Sequence, residues 1–292
     1  MNIKSLADLE KRANERGCDI AQIVLEEEMV ESGKTDKEIC ARVKETFDVM
    51  KNAALSGLAK NSKSVSGLTG ADAFKYHEYR KGDRRCVLSG ICADAMMYAV
   101  SAAETNAAMG VIAAAPTAGA SGILPGVMLA MQKAYDFSDD EIIRALLCAS
   151  GVGMVIALRS TVSGAEGGCQ AECGTGASMA AAAACALLSG TARQCIEASA
   201  LAMKNCLGLA CDPVAGLVEV PCVKRNGFFA VHALTAADMA MSGIESVIPP
   251  DEVIDAMYQI GVSLPSAIRE TAAGGLAATP TGCALKRKIF KT

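Results

Sequence analysis

An all-α fold is what this sequence predicts, with helices joined by Gly-rich loops. Long stretches repeat apolar residues at three- and four-residue intervals, and segments alternating β-branched with polar residues are almost absent. Only 4% of the 292 residues are aromatic and none is Trp, while Ala and Gly abound. A core of such small side chains forms by close helix-helix approach, not by filling the gap of an aromatic-rich sandwich.

Residues 1–60 read as peripheral helices: SLADLEKRANERG, DIAQIVLEEEMVESG and DKEICARVKETFDVMKNAALSGL each set apolar residues on one face and charges on the other. From 61 to 90 the periodicity fails in NSKSVSGLTGADAFKYHEYRKGDRRCVLSG, which predicts an ordered loop over a surface or site. A solvated connection fits that composition as well. Residues 91–292 resume long helical runs, among them ICADAMMYAVSAAETNAAMGVIAAA, DDEIIRALLCASGVGMVIALRS, GASMAAAAACALLSGTARQCIEASALAMKNCLG and HALTAADMAMSGI. Three Gly-rich breaks interrupt them: 115–126 (APTAGASGILPG), 163–176 (SGAEGGCQAECGTG) and 207–227. Helix ends rich in Gly bring bare backbone N–H groups together, which suits anionic ligands. The chain is read as one domain over 1–292.

Composition excludes several classes of function. The 28 Lys and Arg are scattered or paired with acids under a net charge of −4, so no basic stripe follows a nucleic-acid backbone. Thr105 to Gln132 is uncharged and long enough to span a bilayer, but it contains Pro116, Pro125 and four Gly and lacks aromatic or basic flanks. Helices buried in protein explain it better than a membrane span. Thirteen cysteines in a chain opening MNIKSLADLEKR, with no apolar signal core, predict reduced thiols in the cytoplasm. Two histidines, His77 and His232, and no Gly-x-Ser-x-Gly leave little for a Ser-His-Asp arrangement.

Most cysteines, including Cys148, Cys185, Cys195 and Cys206, sit in helical contexts where the thiol is a small buried hydrophobe. Cys169, Cys211 and Cys222 differ: GGCQAE, LACDPV and EVPCVK place each in a Gly- or Pro-containing break beside an acid, free to face a metal. Their separations of 42 and 11 residues match neither ferredoxin runs nor paired C-x-x-C zinc sites. Cys169 and Cys173, four apart, also admit a two-thiol zinc or redox pair.

The segments GGCQAECGTGASMAAAA, NCLGLACDPVAGLVEVPCVKRNGF and APTAGASGILPG, with SGLTGADA and the terminal GGLAATPTG, closely resemble the α chain of bacterial iron-sulfur L-serine dehydratases. The likeness runs from about Ser66 to Gly282. The resemblance implies that Cys169, Cys211 and Cys222 hold a four-iron four-sulfur ([4Fe-4S]) cluster whose fourth iron is open to act as a Lewis acid on the hydroxyl of L-serine. It also implies a partner, the β subunit, supplying further active-site groups, histidines and the base among them. Scarce histidine fits that division.

Within this chain Ser66, Thr69, Thr117 and Glu166 are the candidates for substrate-binding polar groups, although turn and cap roles are usual for such residues. Lys63 and Lys75 are read as solvated loop lysines. The family pattern does not require a thiol at Cys173, and Cys283 in a flexible-looking tail, TGCALKRKIF, is a candidate cap for the open iron. Other readings stay open: a cysteine desulfidase or other cluster-dependent lyase, a pyridoxal-phosphate dehydratase, or a non-catalytic iron-sulfur sensor.

Overall fold

The computed structural model describes residues 3–82 and 85–291. Among them the chain is helical without a strand; its one β-type contact is an isolated parallel bridge between Cys211 and Arg269. The all-α expectation is therefore the fold observed.

Among the described residues thirteen α-helices follow in order: α1 (Leu6–Arg16), α2 (Ile20–Ser32), α3 (Asp36–Ser56), α4 (Asp72–Lys81), α5 (Gly90–Ala107), α6 (Ile123–Tyr135), α7 (Asp139–Arg159), α8 (Gly164–Gly167), α9 (Thr175–Leu187), α10 (Ala192–Lys204), α11 (Cys222–Met241), α12 (Pro250–Ser263) and α13 (Pro280–Phe290). Their starts carry the expected signals. Thr35 with Glu38, Ser138 with Glu141 and Thr191 with Gln194 form reciprocal capping boxes, while Ser5, Asp19 and Thr279 accept from backbone N–H groups three residues on.

The centre of the molecule is α9, wrapped by α6, α7, α10 and α11. Ala177 and Ala180–Ala184 are wholly buried, and a helix apolar on every side belongs inside. Alanine faces let neighbouring axes approach closely, so small residues set the spacing that the lack of aromatics demanded. The peripheral helices α1 to α3 bury one face each, including Leu6, Leu9, Ile20 and Phe47. Among described helices α7 is long and apolar enough to cross a membrane, but 67% of its apolar window is buried inside the protein. Thr105–Gln132 divides into the end of α5, an irregular segment and the buried α6.

Three segments differ from the sequence reading. Residues 61–90 are not loop throughout, because α4 forms within them. Its Asp72 and Ala73 N–H groups donate to the Glu104 carboxylate of α5 at 2.7 and 3.2 Å, a cap supplied from distant sequence. The third Gly-rich break ends early, since α11 begins at Cys222, ten residues before the predicted start at His232. The tail forms α13, beginning at Pro280 with Thr279 as its cap.

Candidate active site

Four thiols and one half-buried carboxyl meet where the three breaks converge. Gly168 adopts φ +74°, and a Cβ there would lie 2.9 Å from the Leu209 carbonyl oxygen, so only glycine turns the chain this tightly into Cys169. Gln170–Gly174 then forms a single π-helical turn before α9, a wide turn of the kind often found at functional sites. It brings the Cys169 and Cys173 sulfurs to 3.4 Å and carries Glu172 between them in sequence.

Cys211 is fixed by its backbone. Its N–H donates to the Ile268 carbonyl at 2.9 Å, and its carbonyl accepts from the Glu270 N–H at 2.8 Å. Cys222 opens α11, three residues ahead of Arg225, whose guanidinium donates to the Ala210 carbonyl and to Asp212 Oδ1, each at 2.9 Å. Asn226, in the same turn, joins this helix start to the APTAGASG loop: its Nδ2 donates to the Gly119 carbonyl and its Oδ1 accepts from the Gly122 N–H, both at 2.8 Å. Gln170 ties the π-turn down by accepting from Gly208 N–H at 2.8 Å and donating to the Met257 carbonyl at 2.9 Å.

Glu172 lies between two of these elements. Thr117 Oγ1 donates to its Oε1 at 2.8 Å, and the Cys211 sulfur is 3.9 Å from its Oε2. Gly119 and Gly164 leave room for the carboxyl; a Cβ at Gly164 would come within 2.7 Å of Glu172 Oε2 and 3.0 Å of the Cys211 sulfur. Burial, reinforced by the charge of Cys169, pushes Glu172 up to about 7. Hydrogen bonds from the Cys173 and Cys211 thiols, aided by Arg225, hold Cys169 well below the usual thiol range. Cys173 and Cys211 are correspondingly raised by sharing hydrogen bonds with Cys169, and burial pushes Cys222 up to about 12. Arg225 and the neighbouring thiols thus favour negative charge on Cys169, beside a carboxyl whose ionisation desolvation opposes.

The other residues singled out in the sequence are placed as follows. Thr117 bonds directly to Glu172. Ser66 donates both its N–H and its hydroxyl to Glu219, three residues before Cys222, so SGLTG docks on the Cys222 segment. Thr69 Oγ1 lies 2.8 Å from Lys224 Nζ and donates to Asp72, a position that secures the start of α4. Glu166 is exposed, accepts from Thr161 Oγ1, and is not brought to the thiols. Lys75 is exposed and paired with Asp72 at 2.8 Å, and Lys63 is exposed as well. The Cys283 sulfur faces the Ala277 carbonyl at 3.8 Å. His232 is held by the Ala202 carbonyl at 2.8 Å, and His77 borders a surface hollow beside Arg80 and Asp94.

Sequence reasoning missed Glu172, Arg225 and Asn226. Glu172 stands inside GGCQAECGTG, and an acid flanked by two cysteines in a Gly-rich break is a signal at least as strong as Glu166. Arg225 and Asn226 carry no local signal, because their partners lie more than ten residues away, at Ala210 and Asp212 and in the APTAGASG loop.

Comparison with known proteins identifies a family for the chain. The family model for the serine dehydratase alpha chain matches residues 15–277. The chain is 47% identical over 290 residues to a probable L-serine dehydratase, alpha chain, of Bacillus subtilis, covering 99% of this chain and 95% of that one. It is 42% identical over 278 residues to the L-serine dehydratase, alpha chain, of Peptoniphilus asaccharolyticus, covering 95% of both. L-serine dehydratase 2 of Escherichia coli is 34% identical over 290 residues, which are 96% of this chain but 62% of that longer protein. With the family pattern covering most of its length, this chain belongs to the serine dehydratase alpha chain family.

Proposed function

We propose that this chain is the α subunit of a two-chain L-serine dehydratase, a cytoplasmic lyase that converts L-serine to pyruvate and ammonia. The observation that carries the reading is the convergence of cysteines from separate breaks around Glu172 and Arg225. Its partner is a β subunit, a division supported by relatives named alpha chain and by a longer relative, L-serine dehydratase 2, of which this chain spans 62%.

The residues fit a [4Fe-4S] cluster, with Cys169, Cys211 and Cys222 as its ligands. Three thiols from separate segments, with an arginine close by, suit a thiolate-held cluster. When bound, the cluster supplies Lewis acidity toward the substrate hydroxyl, a poor leaving group otherwise.

The chain's own residues then have defined work. Thr117 orients the Glu172 carboxyl by donating to Oε1, leaving Oε2 toward the thiols. Glu172 holds or releases a proton at that oxygen near neutral pH, as a group handling the departing hydroxyl requires. Burial of Cys169, 3% exposed, limits competing water beside the half-buried Glu172. Loss of the α-proton and the hydroxyl, as water, leaves aminoacrylate; its imine tautomer takes up water and releases ammonia to give pyruvate.

The test is anaerobic iron and sulfide analysis of the chain and of its Cys169→Ser, Cys211→Ser and Cys222→Ser variants, with pyruvate formation from L-serine measured in the presence of the β chain. Loss of both cluster and turnover in each variant is expected. Turnover by a wild type that binds no iron would defeat the reading, and turnover of cysteine in place of serine would reassign the substrate.

A further inference from the structure

One side chain touches all three of the proposed cluster-bearing segments. Arg225 belongs to the first turn of α11, which Cys222 opens. Its two terminal nitrogens clasp the chain on either side of Cys211, through the Ala210 carbonyl and Asp212 Oδ1. The same guanidinium faces the Cys169 sulfur. Asp212 is anchored in turn: its Oδ2 accepts from the Leu276 N–H at 2.8 Å, and Gly275 at φ +57° packs against it where a Cβ would come within 2.4 Å. The Arg225 side chain is 16% exposed and that of Asp212 is 7% exposed, so their charges are little screened. Neighbouring cations do not duplicate the role. Lys224 is committed to Asp72 and Thr69, and Arg269 reaches the Glu166 carbonyl.

We propose that Arg225 is the positioning and charge-balancing residue of the cysteine centre, gathering the Cys169, Cys211 and Cys222 segments through its planar fork and setting the reduction potential of the cluster they hold. The inference rests on the cluster reading above. A planar fork with several fixed donors suits this task, and a lysine, a single point charge, does not reproduce it. Cluster potentials respond to nearby charge and to hydrogen bonds on the sulfurs, so the residue has a readout separate from turnover. Removing the arginine's positive charge favours the more oxidised cluster and lowers the potential. Removing the Asp212 negative charge raises it.

The experiment is anaerobic reconstitution of wild type, Arg225→Lys, Arg225→Gln and Asp212→Asn with ferrous iron and sulfide. Iron and sulfide per chain and the potential of the loaded cluster are then measured, with helicity and Tm of the cluster-free chains as a control for folding. Asparagine at 212 can still accept from Leu276 N–H, so that variant retains the loop. Expected are potential shifts of opposite sign, down for Arg225→Gln and up for Asp212→Asn, and an iron content at least twofold lower in Arg225→Lys despite the retained charge. Should Arg225→Gln fold poorly or take up no cluster, Asp212→Asn alone decides, and an unchanged potential there overturns the proposal. A wild-type potential in both variants overturns it. So does a raised KM for L-serine with an unmoved potential, which would make Arg225 an anchor for substrate. A wild-type chain that takes up no iron refutes the cluster reading itself, an outcome distinct from these.

Discussion

The alanine helix α9 and the π-turn immediately before it are neighbours in sequence, yet they are held by opposite physics. α9 is secured by apolar burial on all sides, and its buried hydroxyl on Ser178 donates to the Ser199 carbonyl at 3.0 Å. The turn is secured by a few polar contacts to remote segments: Gln170 to Gly208 and Met257, Glu172 to Thr117, and Cys169 to Arg225. Burial is non-directional and spread over many atoms, so the body of the protein absorbs conservative change. A buried polar contact leaves its partner unsatisfied when it is cut, and the loss falls on one place. Stability and chemistry should therefore respond to different substitutions even where the residues are close.

The strongest challenge to that contrast is at Glu172. Glu172→Gln keeps the shape and the Thr117 hydrogen bond but not the exchangeable proton, and kcat of the two-chain enzyme is expected to fall by about 10²–10⁴-fold with little change in Tm. Comparable kcat would show that the carboxyl is only a packing group. In the body, Ile156→Ala in α7, wholly buried, should cost about 2–5 kcal/mol in denaturant unfolding of the iron-free chain. The folded fraction should keep wild-type iron content, and a parallel fall in iron per folded chain would erase the distinction between the two regions.

Gly164→Ala sharpens the comparison, since the atoms nearest the added methyl belong to Glu172 and Cys211. Iron retention should drop while unfolding shifts by about 1 kcal/mol, within the range of ordinary single substitutions. Smaller again is Thr35→Ala at the start of α3, far in sequence from the site: loss of the capping box should cost about 0.5–2 kcal/mol and leave iron content alone.

The smallest effect is electrostatic. Hydrogen bonds from Lys44 and Gln132 lower Asp139 to about 2. Because the folded value is depressed, its stabilisation is present above the unfolded value of about 3.9 and is lost as pH falls through about 2. Solvent exposure limits it to under about 1 kcal/mol. Asp139→Asn should therefore reduce stability slightly at pH 6 and match wild type near pH 2, as acid titration of Tm would show.

The sequence by itself determined the helices, because their signals are local. Three- and four-residue apolar spacing and Ser, Thr or Asp at helix starts act within a turn or two, and alanine runs such as MAAAAACAL leave a helix little choice but the interior. The breaks around Cys169 and Cys211 were also legible, since Gly and Pro interrupt helices wherever they occur. Tertiary structure decided what depends on distant partners. Residues 72–81 become helix because Glu104, some thirty residues away, receives their free N–H groups. Cys222 becomes the start of α11 as Asn226 fastens that end to the APTAGASG loop and Arg225 fastens it to the Cys211 segment. Glu172, not Glu166, faces the thiols because a π-turn rotates one acid inward while Thr161 holds the other outside. Most of those choices are made by hydrogen bonds, largely shielded from solvent, between segments 15 to more than a hundred residues apart, and no local pattern in the sequence encodes them.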